Sequence, residues 1–447
     1  MRTSVLRFAV VLAPLFGVAC TTSTSSDVPD ADGGACAASG SGNVTVMVAG
    51  LPEGLAADVS IEGGAGGARA VVPNEAFVAE GGSYRVSANV VAGSDPIVRT
   101  AYAASIDGAD FCLTNGSAQT VTVTYAPIAT SGKLWHTNQN AAAQLLGFAS
   151  SSLAETGAPA ATVAGKGGLG RSLAFDREGN LWSHGGTTTD ATLARYSAAS
   201  LAASGDKRPD VELRFDPGQG CIPGISSIAF AGDGALWATS GCAKKALRLA
   251  PEDIRASGEP APNVNLGGLD GPEGLAFDKD GNLWVANTGA KTLVRFDAAR
   301  LGASSDEIAS LVIAPKTETA VELAPNHLAF DKDGNLWIAS FSANTIYRLT
   351  PSELEGAGTK DVTPAVRISL SVNALPEGLA FDESGALWLT LAKGQIGRLG
   401  ASQLGASSTP GAPTTPEVIV SSPDINFAHA PTFFPAAKGT PLYAALP

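Results

Sequence analysis

The clearest pattern in the chain is a pair of short apolar runs separated by a polar turn. The best copies, residues 272–287 and 326–340, read PEGLAFDKDGNLWVAN and NHLAFDKDGNLWIAS. Leu275 and Phe277 lie two residues apart and share one face of a strand, whereas Ala276 takes the other face. Asp278 suits the turn because its carboxylate accepts backbone N–H bonds, and Gly281 because it tolerates positive φ. The pattern predicts a β-hairpin.

This hairpin recurs with a period of about fifty residues. All six tryptophans follow a leucine, at intervals of 47, 55, 47, 53 and 51 residues: Trp135, Trp182, Trp237, Trp284, Trp337 and Trp388. Two further apolar runs follow the later copies, for example residues 293–296 and 310–313, so each unit supplies four strands. Four strands in a unit of about 40–50 residues are typical of a β-propeller blade.

The two ends of the repeated region complement each other. The unit at residues 133–137 has no inner strand before its tryptophan, and the tail repeats the hairpin in residues 431–434 and 441–445. We therefore expect the C-terminus to close the ring. From Leu134 to Leu442 is 308 residues, or six periods, which predicts an all-β, six-bladed propeller over residues 129–447. Seven blades are the alternative, with residues 126–129 and 442–443 in a further, degenerate blade.

The first 128 residues follow different patterns. Residues 1–20 combine two arginines with an apolar stretch, which predicts a signal peptide rather than a spanning helix. Residues 21–42 are rich in Ser, Thr, Gly and Asp and predict a flexible tether. Short apolar or alternating runs between Gly and Pro turns in residues 43–128 predict a small β-sandwich of Ig-like size.

The five cysteines fall into three groups. Residues 17–20 are similar to a bacterial lipoprotein box, although Gly17 replaces the usual Leu, so Cys20 is a candidate for lipidation; an ordinary cleaved signal peptide is the alternative. Thr21 resembles the residue at this position in lipoproteins sent to the outer membrane. The other four form an even set in an exported chain. Folding of the hairpin at residues 232–234 brings Cys221 and Cys242 together, which leaves Cys36 and Cys112 as a second disulfide.

The net charge of the chain limits the classes of molecule that it can bind. The net charge is −13 with 16% charged residues and no basic cluster, which excludes nucleic acid as a partner. The acidity favours solubility and, weakly, divalent cations. We expect a monomer whose only contact with the membrane is a lipid anchor.

The repeat resembles the NHL-type and gluconolactonase/regucalcin-like propellers, whose units read Pro-x-Gly-aliphatic-Ala-x-Asp-x-x-Gly-Asn-aliphatic-aromatic. It is also similar to the propeller of streptogramin (virginiamycin B) lyases. The resemblance runs from Lys133 to the C-terminus and implies the architecture. In the lactonases it implies a divalent metal held by Glu, Asn and Asp, and in the lyases a His and a Glu that act with Mg²⁺.

Two positions in each unit are expected at one end of the propeller channel. The first lies two residues before each Leu-Ala-Phe and comprises Arg171, Ser226, Glu273, Asn326 and Glu377, with His327 and His429 close to it. The second lies three residues after each tryptophan and includes Asn138, Ser240, Asn287 and Ser340.

Carboxylate and amide oxygens at this end are ligands that Ca²⁺ or Mg²⁺ prefers. The resemblance implies a metal site at Glu273, Asn326 and Glu377, although the Asp-Gly segment of the lactonases' third ligand is missing; solvated loop carboxylates are the alternative. His327 or His429 beside Glu377 would be the general base of a lyase, and loop packing is the alternative for both. His136 and His184 are expected to pack on strand ends.

We therefore expect a surface lipoprotein whose propeller binds a small molecule or a surface protein through the loops at the channel mouth. The alternative is a metal-dependent lactonase or carbon–oxygen lyase at the same mouth. No cofactor is required by the first hypothesis, and Ca²⁺ or Mg²⁺ by the second.

Overall fold

A computed structural model defines the fold. The residues it describes are 36, 39–64, 66–92, 101–128, 134–138, 145–166, 170–176, 179–184, 193–216, 224–316, 323–371, 375–382 and 385–433. The signal segment with Cys20, the tether before residue 36, Cys221 and the tail after Phe433 lie outside these residues. No helix in the described part is long and apolar enough to cross a membrane.

The N-terminal region consists of two antiparallel-rich sheets around one apolar core. The first has the order β4-β1-β9-β7-β6 and the second the order β3-β2-β5-β8. Alternate residues of each strand, such as Val44 and Val46 of the first, enter the core. The strands are β1 (Ser41–Ala49), β2 (Val59–Gly63), β3 (Gly66–Ala70), β4 (Ala76–Glu80), β5 (Gly82–Ala88), β6 (Val91–Ala92), β7 (Ala101–Asp107), β8 (Asp110–Leu113) and β9 (Ala118–Ile128).

One of the two expected disulfides is present in full. Cys36 is bonded to Cys112, with their Cα atoms 5.7 Å apart, and this bond ties the segment before β1 to β8. Cys242 is also disulfide-bonded. Its expected partner, Cys221, lies outside the described residues, so that pairing stays a prediction.

The rest of the described chain forms six sheets of four or five strands each. In five of these sheets the strands lie side by side in chain order from the inner to the outer edge, and the first sheet differs only in its inner strand, which comes from the C-terminal segment. The sheets contain, in order, β10 (Leu134–Thr137), β11 (Leu145–Phe148) and β12 (Val163–Lys166); β13 (Leu173–Phe175), β14 (Leu181–His184), β15 (Leu193–Tyr196) and β17 (Val211–Leu213); β18 (Ser227–Phe230), β19 (Leu236–Ser240), β20 (Lys245–Leu249) and β21 (Val264–Leu266); β22 (Pro272–Phe277), β23 (Leu283–Asn287), β24 (Thr292–Phe296) and β25 (Leu311–Pro315); β26 (His327–Phe330), β27 (Leu336–Ser340), β28 (Thr345–Leu349) and β30 (Val366–Ser369); and β31 (Pro376–Phe381), β32 (Leu387–Leu391), β33 (Gln395–Leu399) and β34 (Val418–Val420).

The ring closes at its hub through the C-terminal segment. The last described strand, β35 (Thr432–Phe433), pairs antiparallel with β10, with Leu134 opposite Phe433 and Trp135 opposite Thr432. It therefore serves as the inner strand that the first sheet lacks. Each inner strand also contacts the inner strand of the next sheet, and β35 contacts both β31 and β13. This closed ring confirms the all-β propeller.

The turn of each hairpin follows the chemistry that the sequence indicates. Asp278 Oδ1 accepts the backbone N–H of Asp280 at 3.0 Å and that of Asn282 at 2.9 Å. Its other oxygen, Oδ2, accepts the indole N–H of Trp284 at 2.9 Å. The same bond joins Trp182, Trp337 and Trp388 to the aspartates of their own turns. One carboxylate therefore fixes both the turn and the aromatic core of the sheet.

The tryptophans pack between neighbouring sheets. Each of five approaches the inner-strand Phe of the next sheet edge-on, with ring centroids 6.2–6.3 Å apart. The last of these pairs, Trp388 with Phe433, shows that the C-terminal strand occupies the place of an ordinary inner strand. Edge-to-face packing of this kind is the preferred geometry of aromatic pairs.

The outer edge of every sheet is covered by a segment from the next sheet, between that sheet's third and fourth strands. Two of these covering segments are short strands, β16 (Gly205–Asp206) and β29 (Gly358–Val362), which pair in parallel with β12 and β25. The other four make single parallel bridges: Leu213 with Gly258, Leu266 with Ser305, Leu370 with Thr414, and Val420 with Gly157. These segments form hydrogen bonds with part of the backbone of each outer strand, which would otherwise be free to pair with a strand of another chain.

Short 3₁₀ helices occupy several connections, including the two that begin with Pro251 and Pro351. Their bounds are Ser150–Leu153, Ala198–Ala202, Pro251–Ile254, Thr288–Ala290, Ala298–Arg300 and Pro351–Leu354. Pro at the first helical position lacks only an N–H that would have no partner there. All but Thr288–Ala290 follow the third strand of a sheet.

Candidate functional site

Six equivalent residues, one from each sheet, ring one end of the central channel. Each lies four residues before the inner-strand Phe of its sheet, and β35 supplies the sixth. The ring consists of Arg171, Ser226, Glu273, Asn326, Glu377 and His429. Five were predicted from the repeat as a set, and the closing strand places His429 at the remaining position. We call these residues the mouth ring.

Below the mouth ring the channel narrows to a small cavity of about 140 Å³. Residues of the inner strands line it, from Leu173 and Leu275 to Thr432 of the closing strand. Because a strand rises about 3.3 Å per residue, Glu273 lies about two such steps above Leu275. The mouth ring therefore stands at the polar entrance of a mainly apolar channel.

The shortest contact between ionisable groups in the mouth ring joins Glu377 and His429. Glu377 Oε2 lies 3.8 Å from His429 Nδ1, and the side chains are 19% and 5% exposed. The backbone N–H of His429 donates to the carbonyl of Thr137 at 3.0 Å, and the imidazole packs on Phe427 with ring centroids 5.1 Å apart. This imidazole is therefore held in place beside a carboxylate, and its role as a general base stays a prediction.

Glu273 is the second carboxylate of the mouth ring. Burial raises its pKa, and the nearby charge of Glu377 adds to that effect, while the guanidinium of Arg171 opposes it. A carboxyl group with a raised pKa can donate a proton at a pH where an ordinary glutamate cannot. The ring thus combines two carboxylates with one permanent cation.

Two histidines that the sequence did not place at the site lie directly behind the ring. Burial lowers the pKa of His136 to about 4 and that of His184 to about 3, and the neighbouring His429 contributes to both shifts. His136 Nδ1 lies 2.9 Å from the carbonyl of Thr137, so Nδ1 carries the proton. His184 Nε2 accepts the backbone N–H of Arg171 and fixes the segment that presents that arginine.

Both histidines lie on strands, as expected, but they also support the mouth ring. No sequence signal marked them for this role, since they sit one and two residues after their tryptophans and have no counterpart in the other sheets. Only the closing of the ring brings them next to His429.

His327 takes a different position from the one proposed for a general base. It begins β26, one residue beyond the mouth ring, and lines the channel cavity. Its Nδ1 accepts the backbone N–H of Leu379 in the next sheet at 3.2 Å, and burial lowers its pKa to about 4. Ser172 makes the same kind of bond to Ile228, at 3.3 Å. His327 therefore bridges two inner strands, with its second nitrogen protonated.

The other predicted mouth residues hold loops in place. Asn138 Oδ1 accepts the backbone N–H of Asn426 at 2.9 Å, and its amide group donates to the carbonyl of Asp424 at 2.8 Å. Asn287 Oδ1 accepts the backbone N–H of Asp270 at 2.6 Å. Ser226 Oγ accepts the backbone N–H of Gly241 at 3.3 Å, and Ser340 is fully buried.

The residues proposed as metal ligands, Glu273, Asn326 and Glu377, all belong to the mouth ring. Asn326 Oδ1 accepts the backbone N–H of Phe341 at 2.7 Å, so its oxygen already has a partner within its own sheet. Among the described residues, no group of three or more His, Cys, Asp or Glu side chains is arranged to hold a metal ion. Glu273 and Glu377 supply two carboxylates, and a metal site that includes Asn326 stays a prediction.

Comparisons with known proteins agree with this architecture. The family model for the strictosidine synthase-like N-terminal region matches residues 261–288 and 363–399. These segments span the inner hairpins of the fourth and sixth sheets. Together with the ring of sheets, the match confirms the propeller type that the repeat indicated. A search of curated proteins finds no significant match.

Several solved structures have a similar propeller. A catalytically inactive variant of virginiamycin B lyase from Staphylococcus aureus, solved with quinupristin, is 17% identical with a TM-score of 0.34, over 52% of this chain and 67% of that one. A streptogramin B lyase is 16% identical with a TM-score of 0.36, over 55% and 72%. A gluconolactonase-like protein is 20% identical with a TM-score of 0.33, over 49% and 70%. These likenesses concern the fold alone, and the closed ring of six sheets itself identifies the chain as a β-propeller protein.

Proposed function

We propose that the propeller is a binding module that takes a polar small molecule at the mouth ring. The observation that carries the proposal is the ring itself, in which Arg171, Glu273, Glu377 and His429 converge on one channel entrance. Binding sites of this kind combine a few placed polar groups with an apolar interior. The cavity below the ring supplies the apolar part.

The polar groups of the ring differ in what they offer. Arg171 is exposed and presents donors that suit a carboxylate or carbonyl oxygen. Glu273 and Glu377 offer acceptors for hydroxyl or ammonium groups. A ligand with groups of both kinds would therefore be oriented by the ring rather than merely attracted to it.

The test is a screen of the full-length chain by thermal unfolding with sugars, lactones, amino acids and short peptides. A ligand at a hundred times its dissociation constant should stabilise the native state by about 2.7 kcal/mol. Arg171→Ala or Glu377→Ala should remove the stabilisation, and Glu259→Ala, at an exposed position away from the ring, should keep it. Stabilisation that survives both ring substitutions would place binding elsewhere and contradict the proposal.

A second candidate function rests on the contact between Glu377 and His429. An imidazole beside a carboxylate can act as a general base, and Glu273 with its raised pKa can act as an acid. Together they suit a lactone hydrolase or a carbon–oxygen lyase. In the lyase reaction the base removes a proton from carbon, that electron pair forms the double bond, and the carbon–oxygen bond breaks with the oxygen keeping its electrons.

A divalent ion would stabilise the oxygen anion of either reaction, with Glu273 and Glu377 as its protein ligands. Titration with Ca²⁺ and Mg²⁺ against thermal stability, followed by δ-gluconolactone hydrolysis in a pH-stat, tests this candidate. A metal-dependent rate that His429→Gln and Glu377→Gln abolish, and Glu259→Gln retains, would establish it. A chain that neither ion stabilises and that leaves the lactone unchanged would exclude the lactonase.

We also propose that the protein is exported and anchored through a lipid on Cys20, where it meets a ligand or partner at the surface of a bacterium. The Cys36–Cys112 disulfide supports an oxidising compartment. Substitution of Cys20 by Ser should move the protein from the membrane fraction to the soluble fraction. Unchanged fractionation would contradict a lipid anchor.

A further inference from the structure

Within the described residues, the backbone pairing that closes the ring is short. The strand β35 pairs with β10 through two residue pairs, whereas the inner strand β18 pairs with β19 through four. The closing segment, residues 428–433, is also held by a bridge between Ala428 and Asn138 and by backbone N–H bonds from His429 to Thr137 and from Ala430 to Arg171. Phe433 packs on Trp388 of the sixth sheet. In the described part of the chain, closure of the ring at its inner edge therefore depends on this short segment.

Three of the four histidines of the protein surround this stretch. His136 lies on β10, His184 on β14 and His429 on the closing segment itself. All three side chains are buried, and one ring nitrogen of each has no hydrogen-bond partner among the described residues: His136 Nε2, His184 Nδ1 and His429 Nδ1. The buried hydroxyl of Thr137 also lacks a partner.

The charged side chains near the three histidines would not neutralise the positive charge that protonation of these histidines adds. The guanidinium of Arg171 acts on His184, and its charge opposes a proton there. Glu377 lies against His429, and burial raises the pKa of Glu273 despite the opposing charge of Arg171. The aromatic ring of Phe148 covers His136, with centroids 5.9 Å apart, and Asp424 on the closing loop directs its carboxylate to the backbone N–H of Ala161.

We propose that the hub closure is a pH-sensitive latch, which protonation of His136 and His184 releases by freeing the closing segment from β10. A proton on either imidazole would lie near His429, and the one on His184 also near Arg171. The carboxylate of Glu377 lies against His429. Freeing the segment exposes the two imidazoles to water, which removes the repulsion. Because His429 belongs to the mouth ring, release of the segment also dismantles the mouth. This inference does not depend on which ligand the mouth binds.

The direction of the effect follows from the burial of the imidazoles. The pKa of His136 is lowered to about 4 and that of His184 to about 3, against 6.5 for an unperturbed histidine. The closed form therefore has its full stability above pH 6.5 and loses it as the pH falls toward these values. If opening restores an ordinary pKa to one imidazole, the opening equilibrium should rise about twentyfold between pH 7 and pH 5.

Hydrogen exchange of the full-length chain, followed by mass spectrometry at pH 7 and pH 5, tests the latch. After correction for the intrinsic pH dependence of exchange, residues 134–137 and 428–433 should exchange about twentyfold faster at pH 5. Residues 283–287 and 292–296, in a sheet without histidine, should not change. A rise of equal size in both regions, or no rise in the closing segment, would overturn the proposal.

Substitutions then assign the effect to the two histidines. His136→Asn keeps a donor near Nδ1, and His184→Gln keeps an acceptor near Nε2, but neither side chain can take up a proton. The double variant should show no acid-dependent rise. His327→Asn is the matched control, since His327 is half-buried with a similarly low pKa but lies on β26 and bonds to Leu379 rather than lying on β10 or β14. A rise that persists in the double variant would overturn the proposal, and the wild-type comparison decides the matter if that variant does not fold.

Discussion

The contribution of the hydrogen bond between tryptophan and aspartate to stability can be measured, because the third sheet has no aspartate at this position of its turn. Trp284 donates its indole N–H to Asp278, whereas the corresponding position before Trp237 is Ala231. Both tryptophans are 1% exposed. Each packs on the Phe of the next sheet with centroids 6.3 Å apart at an angle of 69°.

Replacing each tryptophan by phenylalanine removes similar packing from two matched sites. Trp284→Phe loses in addition a hydrogen bond to a charged group, which is worth about 1.5–3 kcal/mol. We therefore expect Trp284→Phe to lower the free energy of unfolding by about that much more than Trp237→Phe. Asp278 is half-buried and keeps its bonds to Asp280 and Asn282 in the variant, so we expect a difference near the lower end of this range.

Urea unfolding followed by circular dichroism measures both variants. Asp278→Ala and the double variant with Trp284→Phe complete a cycle whose coupling energy isolates the bond from the loss of turn contacts and from the stacking of Arg295 on Trp284. Equal costs for the two tryptophan substitutions, together with zero coupling, would show that the bond contributes nothing to stability.

Three further predictions concern stability. The free energy of unfolding should fall between pH 7 and pH 5 by up to about 1.4 kcal/mol per pH unit for each buried imidazole, because the unfolded chain binds the proton more readily; His136→Asn should flatten the curve measured by urea unfolding, and an unchanged slope would contradict the lowered pKa. Gly281 has φ of 77°, so Gly281→Ala should cost about 1 kcal/mol in thermal unfolding, whereas Gly302→Ala, which meets no atom within 4 Å, should be neutral; equal effects would remove φ as the cause. Reduction of the Cys36–Cys112 disulfide, or Cys36→Ser, should destabilise the N-terminal sheets by about 2–4 kcal/mol without changing the propeller transition in calorimetry; a joint shift of both transitions would show that the two regions unfold together.

The sequence predicts the fold well wherever its signal repeats. The spacing of apolar residues locates the inner, second, third and fourth strands of the later sheets, and the partial repeat at residues 431–434 identifies the closing strand. Strands without a repeated signal were missed. In the N-terminal region these are β4 and β8, which have only five and four residues. The covering strands β16 and β29 are short and polar, and they pair with strands far away in the chain.

The candidate site was predicted only in part, for a related reason. A position that recurs in every unit is visible in sequence, and this is why the mouth ring could be proposed before its sixth member was placed. His136 and His184 occur once each, and their proximity to His429 arises only when the ends of the ring meet. In the sequence, Asn138 and Asn287 resemble ligand-binding residues. In the structure their side-chain oxygens accept the backbone N–H groups of Asn426 and Asp270, which need hydrogen-bond partners of this kind.

The covering segments have a further consequence for how the ring is joined. The first and sixth sheets meet at the inner edge through β35 and across their faces through a buried apolar cluster that includes Leu146 and Ile396. They meet again at the rim, where Gly157 bridges Val420 and the backbone N–H of Ser421 donates to the carbonyl of Gly157 at 2.8 Å. The rim contact contains no histidine and lies outside the set of charges around the mouth. Opening of the hub would therefore leave the two sheets hinged at their outer edges. The rim contact would then keep the two sheets together while the inner edge is open, so that β35 can pair again with β10 in the same register.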